Sequence, residues 1–382
     1  MRIREYTEAD FDAVVRTRTL AFGPSDPPER IVVPGRLGLL AEVDGQVAGV
    51  LGIGEYWQHF GGRPISMGGI GGVAVAPHAR GRGVASGLLD AALRTMRERG
   101  QSLSVLYATV PALYRARGWE RSGVYERIEL PMDRLLLSPK GTRRLSTRRA
   151  TEADLDDLHA CYLAVASTVD GLLDRRAPRF TLADVLKLDV VTVAHDEDGV
   201  LRGYLTADRE KDRLKVYDVI GVDLDAQLTL LRELTSWAGV LDLVSVRIAD
   251  PSFSGLLTAQ AMRHFPKVSE WLMRVVDLPA AVAARGWPNA AALRPSTVDL
   301  EVVDEHAPWH AGRQRLVVDG GEVRVEPGGT GAVRVQARAL GPWFSGMQNT
   351  HALRRAGLLE GDAGLLDLLV GAPGTPRLAD FF

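Results

Sequence analysis

The sequence has one cysteine, almost no net charge and no long apolar run. Cys161 has no partner for an internal disulfide, as is typical of a chain that folds in a reducing compartment. The formal net charge of -2 gives no overall field for nucleic acid or an anionic membrane, so any anion site must be built locally. No stretch approaches about 18 apolar residues, and the opening MRIREYTEAD lacks the apolar run of a signal peptide. We therefore expect a soluble cytoplasmic protein without nucleic-acid or membrane partners.

What is present is typical of a globular protein, with 46% apolar and 25% charged residues. At roughly 100–200 residues per domain, the length of 382 residues predicts two or three domains. An internal repeat supports this division. Six residues recur at a constant offset of 144, with Arg4, Thr7, Glu8, Ala9, Asp10 and Asp12 reappearing as Arg148, Thr151, Glu152, Ala153, Asp154 and Asp156.

The surroundings of the repeat are also similar in the two copies. In each, a strand-like segment precedes a threonine N-cap and acidic first-turn residues, which complement the dipole of a helix. A strand pair around an Asp-Gly turn follows, in LLAEVDGQVAGVLGI and in VVTVAHDEDGVLRGYLTA. Two related α/β units are therefore predicted, over residues 1–134 and 146–290, with PMDRLLLSPKGTRR as their linker.

A third unit is predicted over residues 293–382. The segment VDLEVVDEHAPWHAGRQRLVVDGGEVRVEPG reads as short alternating strands joined by glycine-rich turns. Two short amphipathic helices follow, around GMQNTHALRRAG and DAGLLDLLVG. This composition indicates an α+β domain.

The chemistry is predicted in the first unit, where the strand GGIGGVAVAP leads through HARGRGVASG into a helix with one apolar stripe. Gly81 and Gly83 allow a tight turn, and the helix start beyond them directs free N–H groups at the same place. Arg80 and Arg82 add positive charge, which suits a pyrophosphate. The alternative is a surface turn with solvated arginines.

The run Pro77, Arg80, Gly81, Arg82, Gly83 resembles the acyl-CoA loop of the Gcn5-related N-acetyltransferase (GNAT) superfamily. The segment LSVLYATVPALYRARGWERSG continues that resemblance. It implies that the pyrophosphate of acetyl-CoA lies on the loop amides and that the pantetheine pairs with the strand Val73, Ala74 and Val75. It also implies that Tyr114 gives a proton to the leaving thiolate. The alternative for Tyr114 is a packed core tyrosine.

Two acetyltransferase-like units followed by a small α+β domain resemble the Eis (enhanced intracellular survival) acetyltransferases over essentially the whole chain. This resemblance implies a degenerate second GNAT-like unit, a sterol-carrier-protein-like third domain and a homohexamer built as a dimer of trimers. It implies amine acceptors, such as aminoglycosides, other polyamines or lysine, and a C-terminal carboxylate, here that of Phe382, as base. The acetyl-CoA site would comprise Val73, Ala74, Val75, Arg80, Gly81, Arg82, Gly83, Val84, Ala85, Ser86, Thr109 and Val110.

Four further residues are candidates for the acceptor site. Trp57 and His59 fall on a strand and loop that often line it in this fold, although an amphipathic strand would explain them equally well. Asp26 lies in a proline-rich loop that would suit a cationic amine, or is a solvated turn residue. Phe381 supplies no charge beside the base, and an apolar anchor for the chain end is the alternative for Phe381 and Phe382.

Other chemistry has less support in the sequence. His306 and His310 have a metal-pair spacing, but Pro308 opposes a helix and no carboxylate or thiol cluster completes a site, so no metal is predicted. The second unit passes from VYDVIGVD into LDAQLTLLRELTSWAG without an Arg-Gly-Arg-Gly turn. The alternative to an enzyme is a non-catalytic sensor that binds acetyl-CoA and, through its third domain, a lipid.

Overall fold

A computed structural model describes residues 1–135, 145–259, 265–371 and 374–382. The linker residues 136–144 lie outside the described residues. The strands of the first unit are β1 (Arg2–Glu5), β2 (Arg36–Val43), β3 (Gln46–Phe60), β4 (Arg63–Val75), β5 (Leu103–Leu106) and β6 (Glu120–Pro131). Its helices are α1 (Phe11–Phe22), α2 (Val84–Glu98) and α3 (Pro111–Arg115).

The second unit repeats this order of elements. Its strands are β7 (Ser146–Arg149), β8 (Val190–His195), β9 (Leu201–Arg209), β10 (Arg213–Gly221), β11 (Leu243–Arg247) and β12 (Phe265–Val275). Its helices are α4 (Leu155–Ala166), α5 (Leu224–Thr235) and α6 (Pro251–Ala259), and α7 (Leu278–Ala284) follows. In both units the fourth and fifth strands pair in parallel, as β4 with β5 and β10 with β11.

The two units share one sheet, in which the described strands follow the order β1-β2-β3-β4-β5-β12-β6-β11-β10-β9-β8-β7. Their last strands are exchanged, because β12 pairs with β5 of the first unit while β6 pairs with β11 of the second. At the centre β6 and β12 pair with each other, with Gly123 opposite Trp271. The interval between residues 134 and 146 is therefore a connection in the chain, whereas the sheet continues across the two units.

The internal repeat forms the same capped turn twice. An arginine–aspartate ion pair closes each copy, at 2.7 Å between Arg4 Nη2 and Asp10 Oδ1 and at 2.6 Å between Arg148 Nη2 and Asp154 Oδ1. In both copies the aspartate also accepts a hydrogen bond from the threonine backbone N–H, which completes a capping box. The prediction of two related α/β units is confirmed.

The third unit is an α+β domain, as predicted. Its strands are β13 (Ser296–Val303), β14 (Gly312–Asp319), β15 (Glu322–Pro327), β16 (Val333–Gln336) and β17 (Leu359–Glu360), in the order β15-β14-β13-β16-β17. The two predicted helices are present as α9 (Thr350–Arg355) and α10 (Gly364–Val370). A further helix, α8 (Ala337–Ser345), contains Pro342 and was not among the predicted elements.

The third unit docks on the first through a shared core. Phe60 at the end of β3 packs edge-to-face on Phe344 of α8, with ring centroids 5.5 Å apart. At a second contact, Arg338 of α8 donates from Nη2 to Glu120 of β6 at 2.6 Å. This docking brings the last residues of the sequence to the first unit.

Candidate active site

β4 and β5 diverge at the centre of the first unit. They pair where Met67 to Gly69 lie beside Leu103 to Val105, and no other described strand pairs with the rest of β4 on that side. A bulge also interrupts its pairing with β3, since Val50 lies opposite Ala74 and Gly52 opposite Gly71. Val73 and Val75 are partly exposed along the open edge, whereas Ala74 is buried. This edge presents free backbone groups to an extended ligand, as in β-strand addition.

The arginine–glycine loop lies directly between β4 and α2. Gly81 and Gly83 have φ values of +76° and +75°, and Gly83 is the N-cap residue of α2. A Cβ at either position would meet no atom within 4 Å, so it is the backbone conformation that requires glycine. The first turn of α2, with Val84 buried and Ala85 and Ser86 partly exposed, leaves N–H groups that point out of the helix.

The charge at this loop suits a phosphate group. Arg80 and Arg82 are exposed, and Arg82 pairs with the exposed Asp44 at 3.0 Å. Such a surface pair holds its arginine only weakly and leaves it available to an anion. The loop, its amides and the open edge of β4 together fit the pyrophosphate and pantetheine of acetyl-CoA.

Tyr114 lies on α3, which begins at Pro111 after the exposed residues Thr109 and Val110. Its ring packs edge-to-face on Trp119, at 6.4 Å between centroids, and shares a core with the apolar stripe of α2. Burial raises the pKa of Tyr114 above that of a free phenol, so the hydroxyl keeps its proton at neutral pH. The position of Tyr114 is thus compatible with both predictions, a packed core tyrosine and a proton donor, because its ring is packed and its hydroxyl keeps a proton.

The C-terminal segment crosses this site. Backbone hydrogen bonds fix it, at 2.9 Å from Arg377 N–H to Asp170 and from Leu378 N–H to Val124. The ring of Phe382 lies 4.8 Å from that of Tyr56 on β3. A Cβ at Gly71, beside the β4 bulge, would lie 3.2 Å from the Phe382 carbonyl oxygen. The end of the sequence therefore lies against the same part of β4 that would hold the acetyl group.

Phe381 packs differently from its neighbour. Its ring stacks on Tyr107, which follows β5, at 4.1 Å between centroids, although 59% of the side chain remains exposed. The Tyr107 hydroxyl donates to the Asp380 carbonyl at 3.1 Å. Phe381 and Thr109 line a cavity of about 610 Å³ at the end of β5. This cavity is an open volume next to the predicted site.

The other three predicted acceptor residues have different surroundings. Asp26 is exposed in a segment without regular structure. Trp57 packs against the core that links the first and third units. His59 is 4% exposed, and neither imidazole nitrogen has a hydrogen-bond partner in the described ranges; burial lowers its pKa. Among the described residues, Phe382 makes its ring contacts with Tyr56 and Tyr107 instead.

The face of the sheet beneath Phe382 was not among the predicted parts of the site. Five glycines form it, and Cβ atoms there would collide with overlying side chains: Gly38 with Tyr6, Gly52 with Arg36, Gly54 with Tyr56, Gly69 with Phe382 and Tyr56, and Gly71 with Phe382. Glycine at every second position along β3 and β4 was the available signal, because alternate residues of a strand face the same side. This glycine floor makes room for aromatic and arginine side chains directly over the strands.

The second unit has no equivalent loop. Asp223 occupies the N-cap of α5, where its side chain accepts from the Ala226 N–H at 2.8 Å. The same carboxylate accepts from Arg202 at 2.6 Å. A negative charge thus occupies the helix start where a phosphate would lie, which agrees with a degenerate copy.

The two histidines with metal-like spacing have other partners. His310 Nε2 lies 2.8 Å from Asp304, which also binds the fully buried Arg274, and His310 Nδ1 accepts from the Leu278 N–H. His306 Nδ1 lies 3.1 Å from Asp90 of α2. Within the described ranges, no group of three or more His, Cys, Asp or Glu residues is placed to hold a metal ion. In the same ranges, no helix is long and apolar enough to span a membrane.

Comparison with known proteins identifies the domains. Residues 2–122 match the acetyltransferase (GNAT) domain family, and residues 278–379 match the sterol carrier protein domain family, which begins ahead of Leu293 and includes α7. An uncharacterized N-acetyltransferase of Streptomyces coelicolor is 29% identical over 321 residues, or 78% of this chain and 75% of that protein.

Solved structures share the whole architecture. A GCN5-related N-acetyltransferase from Kribbella flavida has a TM-score of 0.83 at 26% identity, over 100% of this chain and 98% of that chain. Eis1 from Mycobacterium abscessus has a TM-score of 0.76 over 100% of both chains, and its 21% identity makes this a likeness of fold.

Proposed function

We propose that this chain, an N-acetyltransferase that belongs to the GNAT superfamily and has the tandem architecture of Eis1, transfers acetyl from acetyl-CoA directly to an amine. One observation carries the proposal. The open edge of β4 runs from the Gly83 loop to a bulge against which the Phe382 carbonyl lies. An extended thioester on that edge would have its pyrophosphate at the loop and its acetyl group beside Phe382.

Each end of the site has a distinct role in this proposal. Val73, Ala74 and Val75 pair with the pantetheine, and the loop from Arg80 to Ser86 holds the pyrophosphate, with Thr109 and Val110 on the opposite wall. Backbone N–H groups at the bulge stabilise the negative charge that develops on the acetyl oxygen. Acetyl-CoA supplies the acetyl group as a thioester.

Tyr114 and Phe382 move the protons. The Phe382 carboxylate takes a proton from the acceptor ammonium, directly or through water, and the free amine then bonds to the acetyl carbon. The carbon–sulfur bond breaks with its electron pair going to sulfur, and Tyr114 donates its proton to that sulfur. A proton of the new ammonium returns to Tyr114 through solvent. An α-carboxylate has a free pKa of about 3.5, so it is ionised at neutral pH and can accept this proton, although it is a weak base.

The test is release of CoA thiol from acetyl-CoA with aminoglycosides, polyamines and lysine peptides as acceptors. We compare the wild type, Tyr114→Phe and a chain with one residue added after Phe382, with Tyr217→Phe in the second unit as the matched control. Both site variants should lose roughly 100-fold or more in kcat with acetyl-CoA affinity retained. The control should keep its activity.

Two results would change the proposal. Full activity of the extended chain would remove the Phe382 carboxylate as base. Tight acetyl-CoA binding without turnover of any amine would favour the alternative function, a non-catalytic acetyl-CoA sensor.

The proposed assembly is a homohexamer, and light scattering tests it separately. The expected mass corresponds to six copies of the 41.4 kDa chain. A mass of one copy would overturn it.

A further inference from the structure

Three arginines from distant parts of the sequence meet above the glycine floor. Arg36 comes from β2, Arg18 from α1 and Arg179 from the segment before the second unit's hairpin. All three are partly buried. The Arg179 backbone nitrogen would lie 3.1 Å from a Cβ at Gly35, next to Arg36. Burial lowers the pKa of Arg36, and the positive charges of Arg18 and Arg179 act in the same direction, so both repel Arg36.

The three arginines differ in their ion pairs from most other arginines of the chain. Most ion pairs of this chain join an arginine to an aspartate or glutamate, but none of these three forms one in the part of the chain that the structure describes. Arg18 donates to the Tyr6 hydroxyl at 3.0 Å, while its buried Nε has no acceptor among the residues that the structure describes. Burial raises the pKa of Tyr56, and the nearby charge of Arg179 opposes that rise. The phenols of Tyr6 and Tyr56 therefore face the cluster, and the Phe382 carboxylate lies at the neighbouring Gly71, so the three positive charges are only partly compensated.

The cluster borders the reacting end of the site. A Cβ at Gly52 would lie 2.4 Å from Arg36 Nε, and one at Gly72 would lie 3.5 Å from Arg36 Nη2 and 3.9 Å from Arg18 Nε. Gly72 is part of the β4 bulge, next to Gly71 and the Phe382 carbonyl. An amine that reaches an acetyl group at this bulge must lie beside the guanidinium groups.

We propose that the acceptor is a small amine that carries an oxyanion, a carboxylate or a phosphate, and that Arg36 binds this oxyanion with help from Arg18 and Arg179. The inference rests on the proposed function and names its acceptor class. A guanidinium offers a planar pair of N–H donors that matches two anionic oxygens, and partial burial strengthens such bonds. The oxyanion removes the mutual repulsion of the arginines and leaves the acceptor's amine near the bulge. A polycationic aminoglycoside would add to that repulsion.

The experiment compares matched acceptors by thiol release. The carboxylate arm uses L-phenylalanine against phenylalaninamide, and the phosphate arm uses phosphoethanolamine against ethanolamine, with spermidine as a polycation. We expect kcat/KM to be roughly 10- to 100-fold higher for the anionic member of at least one pair. The pair that shows the preference identifies the oxyanion.

Variants then assign the preference to the cluster. Arg36→Gln should abolish it through a raised KM for the anionic acceptor, while Arg36→Lys should restore part of it. Arg16→Gln, an exposed arginine on the same helix as Arg18, is the matched control and should keep the preference. Acetyl-CoA affinity, measured for each variant, reports that the first unit is folded.

The outcomes separate this inference from the proposed function. The oxyanion site would be overturned if thiol release were as fast with neutral or polycationic amines as with anionic ones, or if the preference survived in Arg36→Gln. Either result would leave the proposed acetyltransferase activity intact. Absence of thiol release with every amine would overturn the proposed function. In that case calorimetric titration of L-phenylalanine and phosphoethanolamine into wild type and Arg36→Gln still decides whether the cluster binds an oxyanion, and absence of binding to the wild type would overturn it.

Discussion

The ring of Phe382 lies 4.8 Å from the ring of Tyr56, and both lie over Gly69 of β4. A Cβ at Gly69 would be 2.7 Å from an atom of either ring. Phe382 thus packs directly on Gly69, where no side chain larger than that of glycine would fit.

Replacing Gly69 by valine should displace Phe382 and reduce acetyl transfer. Overpacking of this kind costs about 1–3 kcal/mol, enough to shift the segment away from β4. We expect kcat to fall roughly tenfold or more while acetyl-CoA affinity changes little. Gly255→Ala, at an exposed position where a Cβ would meet nothing within 4 Å, is the control. Unchanged kcat in Gly69→Val would show that the position of Phe382 does not matter for the reaction.

Gly83→Val should weaken acetyl-CoA binding through backbone strain. A β-branched residue at φ +75° costs about 1–3 kcal/mol and distorts the start of α2. Gly199→Val is the matched control, since Gly199 has φ +77° and equally open surroundings but lies in the turn between β8 and β9. Both variants should lose stability in urea titration, and only Gly83→Val should lose acetyl-CoA affinity, by roughly tenfold. Equal acetyl-CoA affinities of the two variants would show that the pyrophosphate does not bind at the Gly83 loop.

Asp304→Asn should destabilise the junction between the second and third units. Arg274 is completely buried and bonds to Asp304, so the variant leaves an uncompensated charge in the core. Breaking such a pair from one side costs about 3–5 kcal/mol. The exposed pair of Arg324 and Glu326 supplies the control, since Glu326→Gln should change the free energy of unfolding by at most about 1 kcal/mol. If the two variants changed the free energy of unfolding by similar amounts, the burial of the Arg274–Asp304 pair would be contradicted.

Stability should fall as the pH decreases from about 7.5 to about 5.5. Burial lowers the pKa of His59 and of His310, so the unfolded chain binds protons at a pH where the folded chain does not. The free energy of unfolding therefore decreases on acidification through the free histidine pKa of about 6.5. His59→Gln should flatten this dependence, and His78→Gln, at an exposed residue before the loop, should leave it unchanged. A pH-independent midpoint of urea unfolding would contradict the prediction.

Local features of the fold were predictable because neighbours in sequence form them. Several of these features depend on residues a few positions apart. They are the Arg4–Asp10 and Arg148–Asp154 pairs, the Asp-Gly hairpin at Asp44 and the apolar stripe of α2. The Gly81 and Gly83 conformations belong to the same class, since a positive φ is a property of one residue. The sequence by itself thus determined the two α/β units and the glycine loop, and it carries the resemblance to acetyltransferases.

Only the tertiary structure decided how these units combine. Three features join residues that are far apart in the chain: β6 and β12 are exchanged between the units, Phe382 packs on Gly69, and Arg36 lies near Arg18 and Arg179. No periodicity encodes such contacts, because each arises when separate segments bury their apolar faces together in one core. The polar groups carried on those segments are then brought side by side, and that placement supports our inference about the acceptor.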